Sequence, residues 1–198
     1  MYRIVSFLAR HTYNGPMLRQ IIVHPNETLR KTASEVPLEN GLSDEHSILA
    51  LDLMETLEST YPLGAGLSAN QVNQTSRIFV INLEVGEGHF MRQYFINPEI
   101  VKTSTQTITD WEGCLSIPDQ WGHVERFKSV TVSAYNLKGE EFTVTAADFY
   151  ARLVQHELDH LNGILFIDKL KSRIYSTQEL QKLEEKKSAS NQTDNVQG

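Results

Sequence analysis

The 198-residue chain contains a single cysteine, Cys114, so no internal disulfide can close and the fold does not depend on an oxidising compartment. It lacks an apolar run long enough to span a bilayer. Its start also lacks the ordered basic, apolar and small-residue regions of a secretory signal. Basic charge is scarce: 18 Lys and Arg against 25 Asp and Glu leave a formal net charge of -7, which favours solubility and argues against broad electrostatic attachment to nucleic acid or an anionic membrane. Acidic charge is scarce only at the start, where the first 26 residues contain no Asp or Glu but carry Arg3, Arg10 and Arg19. That stretch is faintly like an organellar transit segment, the alternative being a short extension beside the domain. With 40% hydrophobic residues at this length, one core and one domain are expected.

The patterning predicts a helix over residues 47–61, with Ile48, Leu51, Met54 and Leu57 as its apolar stripe, widened by Leu53 and Tyr61. Pro62 and Gly64 end it. Residues 77–82 and 94–97 read as strands joined through a Gly86-Glu87-Gly88 loop. A hairpin is expected where Val130, Val132 and Ala134 alternate with polar residues, turn at residues 136–139 and return through Phe142-Thr143-Val144. A second helix follows over residues 146–161, capped by Thr145 with Asp148 in the reciprocal position and stopped by Asn162-Gly163. On it Phe149, Leu153, His156, Glu157 and His160 share one broad side, whose apolar part is expected to pack on sheet. The boundaries drawn are an extension over 1–16, a domain over 17–176, and a short charged helix with a polar tail over 177–198.

The chemistry concentrates at Gln155-His156-Glu157-Leu158-Asp159-His160. Residues four apart on a helix lie one turn apart, so His156 and His160 can converge on one ion, with Glu157 offset toward a bound water. Alone, the pair also fits a surface helix with scattered histidines, and Cys114 alone fits a buried core thiol. Together, two imidazoles and a thiolate make a catalytic metal set with one position open, suited to ferrous iron, nickel, cobalt or zinc. Glu157 is then the group that takes the water proton and returns it to a departing amine. Gly64-Ala65-Gly66-Leu67-Ser68-Ala69-Asn70-Gln71 reads either as a flexible loop or as a loop presenting the Gln71 amide to a developing oxyanion, with the Leu115 backbone N–H as second donor. It lacks the lysine of a phosphate-binding loop.

Three separated motifs, Gly64 to Gln71, Glu112 to Ser116 and Gln155 to His160, resemble those of the peptide deformylase family, in that family's order. The resemblance implies an α+β fold, with an antiparallel sheet packed around a central metal-binding helix. It implies Cys114, His156 and His160 as ligands of one divalent ion, Fe2+ physiologically, with Zn2+, Ni2+ or Co2+ able to occupy the same site. Glu157 would be the acid/base residue, and Gln71 with the Leu115 amide would stabilise the tetrahedral intermediate. Substrate contacts would come from Gly64, Ala65 and Gly66 on one side and from Gly113, Trp121, Phe149 and Leu153 on the other. Arg126, paired with Asp159, and Glu112, ordering the cysteine or glycine-rich loop, would support the ligands; an ordinary surface salt bridge is the alternative for Arg126. The implied reaction removes formate from N-formyl-methionyl nascent peptides, by a monomer in brief contact with the ribosome, in the cytoplasm or an organelle matrix.

The chain departs from the family pattern at Ala65, where a bulky aliphatic is usual, at Ser68, often alanine, and at Asn70, commonly proline or threonine. None removes a ligand or Gln71. Ala65 bears on the pocket wall that grips methionine, and Asn70 frees a backbone that proline would restrain. Trp111 and Trp121 flank the cysteine loop as groove walls or as ordinary aromatics. Two other readings stand beside this one: a zinc peptidase of the His-Glu-x-x-His type, and a non-catalytic deformylase-like protein that binds metal or peptide.

Overall fold

The computed structural model describes residues 16–194. The expected extension over 1–16 therefore lies, except for Pro16, outside the described residues. The helix Asp44–Ser59 (α1) begins at Ser43, whose side chain accepts from the His46 N–H. Its buried face is Leu49, Ala50, Leu53, Met54 and Leu57, so Leu53, Met54 and Leu57 of the stripe read from the sequence lie in the core, whereas Ile48 is 52% exposed, Leu51 37% and Tyr61 55%. Ile48 and Leu51 have helical spacing too, and packing against the sheet turns Leu49 and Ala50 inward instead.

Seven strands follow: β1 Gly66–Ser68, β2 Ile78–Gly86, β3 His89–Thr103, β4 Thr107–Cys114, β5 Ile117–Phe127, β6 Ser129–Tyr135 and β7 Glu141–Ala147. β1, β2, β3, β6 and β7 form one antiparallel sheet in the order β1-β2-β3-β6-β7, while β4 and β5 pair separately. The β6–β7 hairpin turns where expected, through residues 136–139. The strand readings at 77–82 and 94–97 were too short, since the ladder between β2 and β3 extends from Ile78↔Ile96 to Gly86↔His89.

In β2, side chains alternate between two cores, as the period of a strand requires. Ile78 and Val80 join α1, Leu67 and Ile96; Phe79 and Ile81 join Phe95, Val130 and Val132 on the opposite face. Phe79 and Phe95 are direct cross-strand partners whose rings stack at 4.5 Å. That second core is closed by the helix Asp148–Leu161 (α2), through Ala151, Val154 and Leu161. β5 packs on the other side of α2, so the helix runs between the five-stranded sheet and the β4–β5 hairpin. The fold is α+β, an antiparallel sheet packed around a central helix.

Three local readings are corrected. Thr145 does not cap α2; it lies in β7 with its hydroxyl 3.1 Å from Thr131, and the N-cap is Ala147, without a side-chain cap bond. Ladder pairing of the whole strand outweighs one capping bond. Phe149, expected among the sheet contacts, is 56% exposed. At the C-terminus the helix Thr177–Asp194 (α3) continues through the residues read as the start of a tail, since no Gly or Pro interrupts it. Arg19, one of the three arginines of the acid-free start, is part of the domain: it ion-pairs with buried Asp52 at 2.6 Å, and its N–H donates to Thr56 Oγ1 at 2.8 Å.

Candidate metal centre

Three pieces of chain meet beside α2. The glycine-rich segment runs along β1 into a 3-10 turn, Ala69–Val72, which carries Gln71. The β4–β5 hairpin reverses tightly after Cys114. α2 itself presents His156, Glu157 and His160, and ends at Gly163, which has φ 72° and lies where a Cβ would stand 2.4 Å from the Arg30 carbonyl oxygen. Only glycine fits that stop.

One donor atom from each of Cys114, His156 and His160 lies within 4.8 Å of the others, with both histidines buried. Cys114 Sγ is 3.1 Å from His160 Nε2. His156 Nδ1 is 3.0 Å from Glu112 Oε2, which assigns its proton to Nδ1 and leaves Nε2 as the donor atom. A soft sulfur and two imidazole nitrogens, one held in its tautomer by a carboxylate, fit a divalent transition-metal ion.

Glu112, two residues before Cys114, anchors a buried charge network. Arg126 donates to both of its oxygens, at 2.8 and 2.9 Å, and to Asp159, which also takes Lys169 Nζ at 2.7 Å. The sequence reading missed Arg152, which donates to Glu112 Oε1 at 2.7 Å and to the Val124 and Ile108 carbonyls at 2.8 Å. Its signal was available: Arg152 precedes His156 by one helical turn and so shares its face. Burial opposes ionisation of Glu112, but Arg126 and His156 outweigh it and hold the carboxyl well below its ordinary value.

Burial lowers the basicity of both histidines, and for His160 the positive His156 and Arg126 add to it, leaving a neutral imidazole. At His156 burial is outweighed by the Cys114 sulfur and Glu112, which push it well up. Binding a cation between a cysteine thiol and an imidazolium displaces their protons. Burial also pushes the Glu157 carboxyl up, against the pull of His156 and of a hydrogen bond from Ser68.

Gln71 is held at both ends. Its Oε1 accepts from the Ser68 N–H at 2.9 Å, which turns Nε2 toward Ser116 Oγ at 3.2 Å and Cys114 Sγ at 3.5 Å. Asn70 replaces backbone restraint with a side-chain tie, Nδ2 donating to the Lys31 carbonyl at 2.6 Å. The centre opens on a cleft of about 620 Å³. Gly64, Ala65, Gly66 and Leu115 line it with Gly113, Trp121, Phe149 and Leu153, and Cys114, His156 and Glu157 also face it. Trp111 borders the same cleft, with its ring 3.9 Å from that of His123. Arg126 and Asp159 are not part of the cleft wall; they stand behind the ligands.

An α+β fold in which two histidines and a buried glutamate of the central helix meet a cysteine of the facing hairpin, beside an open cleft, defines a metal-dependent hydrolase. A model of the polypeptide deformylase family matches residues 18–174. Peptide deformylase 1 of Clostridium acetobutylicum is 43% identical over 153 residues, 77% of this chain and 95% of that protein. The peptide deformylase of Pseudoalteromonas translucida is 41% identical, over 76% of this chain and 86% of its own. Among solved structures, a Met-Ala-Ser-bound class I type b peptide deformylase from Acinetobacter baumannii superposes with a TM-score of 0.72 at 31% identity, covering 78% of this chain and 99% of that one. The Thermotoga maritima peptide deformylase gives a TM-score of 0.70 at 34% identity, with the same coverage. The chain belongs to the peptide deformylase family. That membership favours neither the peptidase nor the non-catalytic alternative.

Proposed function

We propose that this protein hydrolyses the formyl amide of N-formyl-methionyl nascent polypeptides, releasing formate and a free amino terminus. The observation that carries the reading is the convergence, beside one cleft, of the Cys114, His156 and His160 donors with the Glu157 carboxylate and the Gln71 amide. Cys114, His156 and His160 would hold one divalent ion, which when bound acidifies a water and polarises the formyl carbonyl. Glu157 accepts the proton of the attacking water and delivers it to the departing amine, so no covalent enzyme intermediate is required. Gln71 Nε2 and the Leu115 N–H donate to the oxygen that gains charge in the tetrahedral intermediate. Glu112 keeps His156 in its donor tautomer, and Arg126, Arg152 and Asp159 keep Glu112 in place.

The methionine side chain is assigned to the apolar part of the cleft, where Ala65, Leu115, Phe149 and Leu153 form the wall and Trp121 stands beside Gly113. Ferrous iron is the proposed physiological ion on the family resemblance, since the Cys-His-His donor set by itself does not choose among iron, nickel, cobalt and zinc. A monomer working in the cytoplasm or an organelle matrix, in passing contact with the ribosome that carries its substrate, completes the reading; a metal-bound thiolate favours such a reducing compartment. Among the described residues, no helix is long and apolar enough to cross a membrane.

The test is formate release from formyl-Met-Ala-Ser by anaerobically purified protein, with metal content measured on the same sample and a metal-free control. Metal-dependent release is the expected result. A folded, metal-loaded sample that releases none would overturn the proposal.

A further inference from the structure

We propose that Ser68 is a positioning residue for Glu157: its hydroxyl fixes the carboxylate of the acid/base group, while its main chain fixes the Gln71 amide. The inference rests on the deformylase reading given above and concerns a position where the family often carries alanine.

Ser68 is completely buried at the end of β1, and its Oγ lies 2.6 Å from Glu157 Oε2 and 3.0 Å from the Glu157 main-chain oxygen. A hydroxyl has one proton to give, and the shorter, charge-assisted contact to the carboxylate receives it. The other carboxylate oxygen, Oε1, is packed on the backbone of Gly66, where a Cβ would stand 2.4 Å away. Glu157 is thus gripped from one strand at both oxygens, by a donor at residue 68 and by the bare backbone at residue 66. Two residues apart on a strand, these positions lie on the same face.

The main chain of Ser68 does a second job, donating its N–H to Gln71 Oε1 at 2.9 Å. That contact aims the Gln71 Nε2 donor toward the Cys114 side of the cleft. One residue of the glycine-rich segment therefore sets the relative placement of the proton carrier and an oxyanion donor, and only the first of these contacts belongs to its side chain. Proton transfer falls off steeply when the acceptor leaves hydrogen-bonding reach of the water, so freeing a long glutamate side chain costs turnover rather than substrate binding.

The experiment compares wild-type protein with Ser68→Ala, Ser68→Cys and Ser68→Thr, alone and in a Glu157→Gln background, using zinc-loaded samples of measured metal content and unfolding midpoint. Ser68→Ala and Ser68→Cys, which remove or weaken the donor at similar size, are expected to lower kcat about tenfold with KM and metal content unchanged. Ser68→Thr, which keeps the hydroxyl, should recover most of that loss. In the Glu157→Gln background Ser68→Ala should cost nothing further, and a crystal structure of Ser68→Ala should show the Glu157 side chain in more than one conformation. An unchanged kcat in both donor-deficient variants overturns the positioning role, as does a tenfold loss that persists in the Glu157→Gln background. If Glu157→Gln itself turns over normally, the assigned chemistry fails instead, and the two failures are distinguishable.

Discussion

On its sheet side α2 buries Ala151, Val154 and Leu161 among Phe79, Phe95 and Val132. On its hairpin side it buries Arg152, Gln155, His156 and Asp159, each with a named polar partner. The first side is non-directional: apolar area leaves water, and many combinations of similar volume would serve. The second gains little net stability, because desolvating the charges of Glu112, Arg126, Arg152 and Asp159 offsets most of their attraction. What it supplies is direction. Each hydrogen bond fixes an angle, and the chain of them ends at His156, one of the three proposed metal ligands. A helix stabilised on one face can carry a demanding polar constellation on the other.

The sharpest way to separate the two faces is to alter chemistry without altering shape. Glu157→Gln should lower kcat by about 10³-fold while metal content and unfolding temperature stay at wild-type values. Normal turnover at normal occupancy would end the role assigned to Glu157.

Glu112→Gln tests whether the polar face acts on the metal or only on the fold. It leaves Arg126 and Arg152 facing a neutral amide and weakens the hold on His156, so metal affinity should fall about 10- to 100-fold. Unfolding stability should fall by about 3 kcal/mol. Competition with a chelator gives the affinity and denaturant titration the stability; wild-type affinity would remove Glu112 from the metal centre.

Val154→Ala strikes the apolar face and should do the reverse. Removing two buried methyl carbons costs about 2 kcal/mol of stability, with metal affinity and kcat per folded molecule unchanged. A matching fall in metal affinity would mean that the faces are mechanically coupled and the comparison too simple.

The smallest effect is expected where neither face is touched. Asp168 accepts from Arg30 Nη2 at 3.1 Å and from the Leu165 N–H at 2.9 Å. Burial opposes its ionisation, but these bonds hold its carboxyl below the ordinary value. A depressed folded-state pKa contributes stability above the unfolded pKa, near 3.8, that is lost as pH falls through the folded one. The pair is partly exposed and screened, so Asp168→Asn should cost about 0.5 kcal/mol at pH 7 and less at about pH 3, below the unfolded value, where the contribution is being lost. An equal cost at both pH values would assign the effect to packing.

Much of the site was legible in the sequence because its chemistry is local in spacing. His156 and His160 are one turn apart, Glu157 lies beside them, and Cys114 has no competitor as thiolate. The β4–β5 hairpin was less legible because Glu112 and Arg126 occupy buried strand positions, so polar residues stand where a hydrophobic alternation would be counted. The buried stripe of α1 was misassigned in part, at Ile48 and Leu51, because they have helical spacing too and periodicity cannot say which side meets the sheet.

The sequence by itself determined the candidate donor set, the acid/base candidate, the oxyanion candidates and the family, since residue types and short spacings carry them. The tertiary structure alone decided that Arg152 holds Glu112, that Glu112 holds His156, and that Ser68 holds Glu157. These partners lie 40, 44 and 89 residues apart. Contacts at such separations depend on how sheet, helix and hairpin pack, and on which side-chain atoms are left facing one another in a space without water to satisfy them.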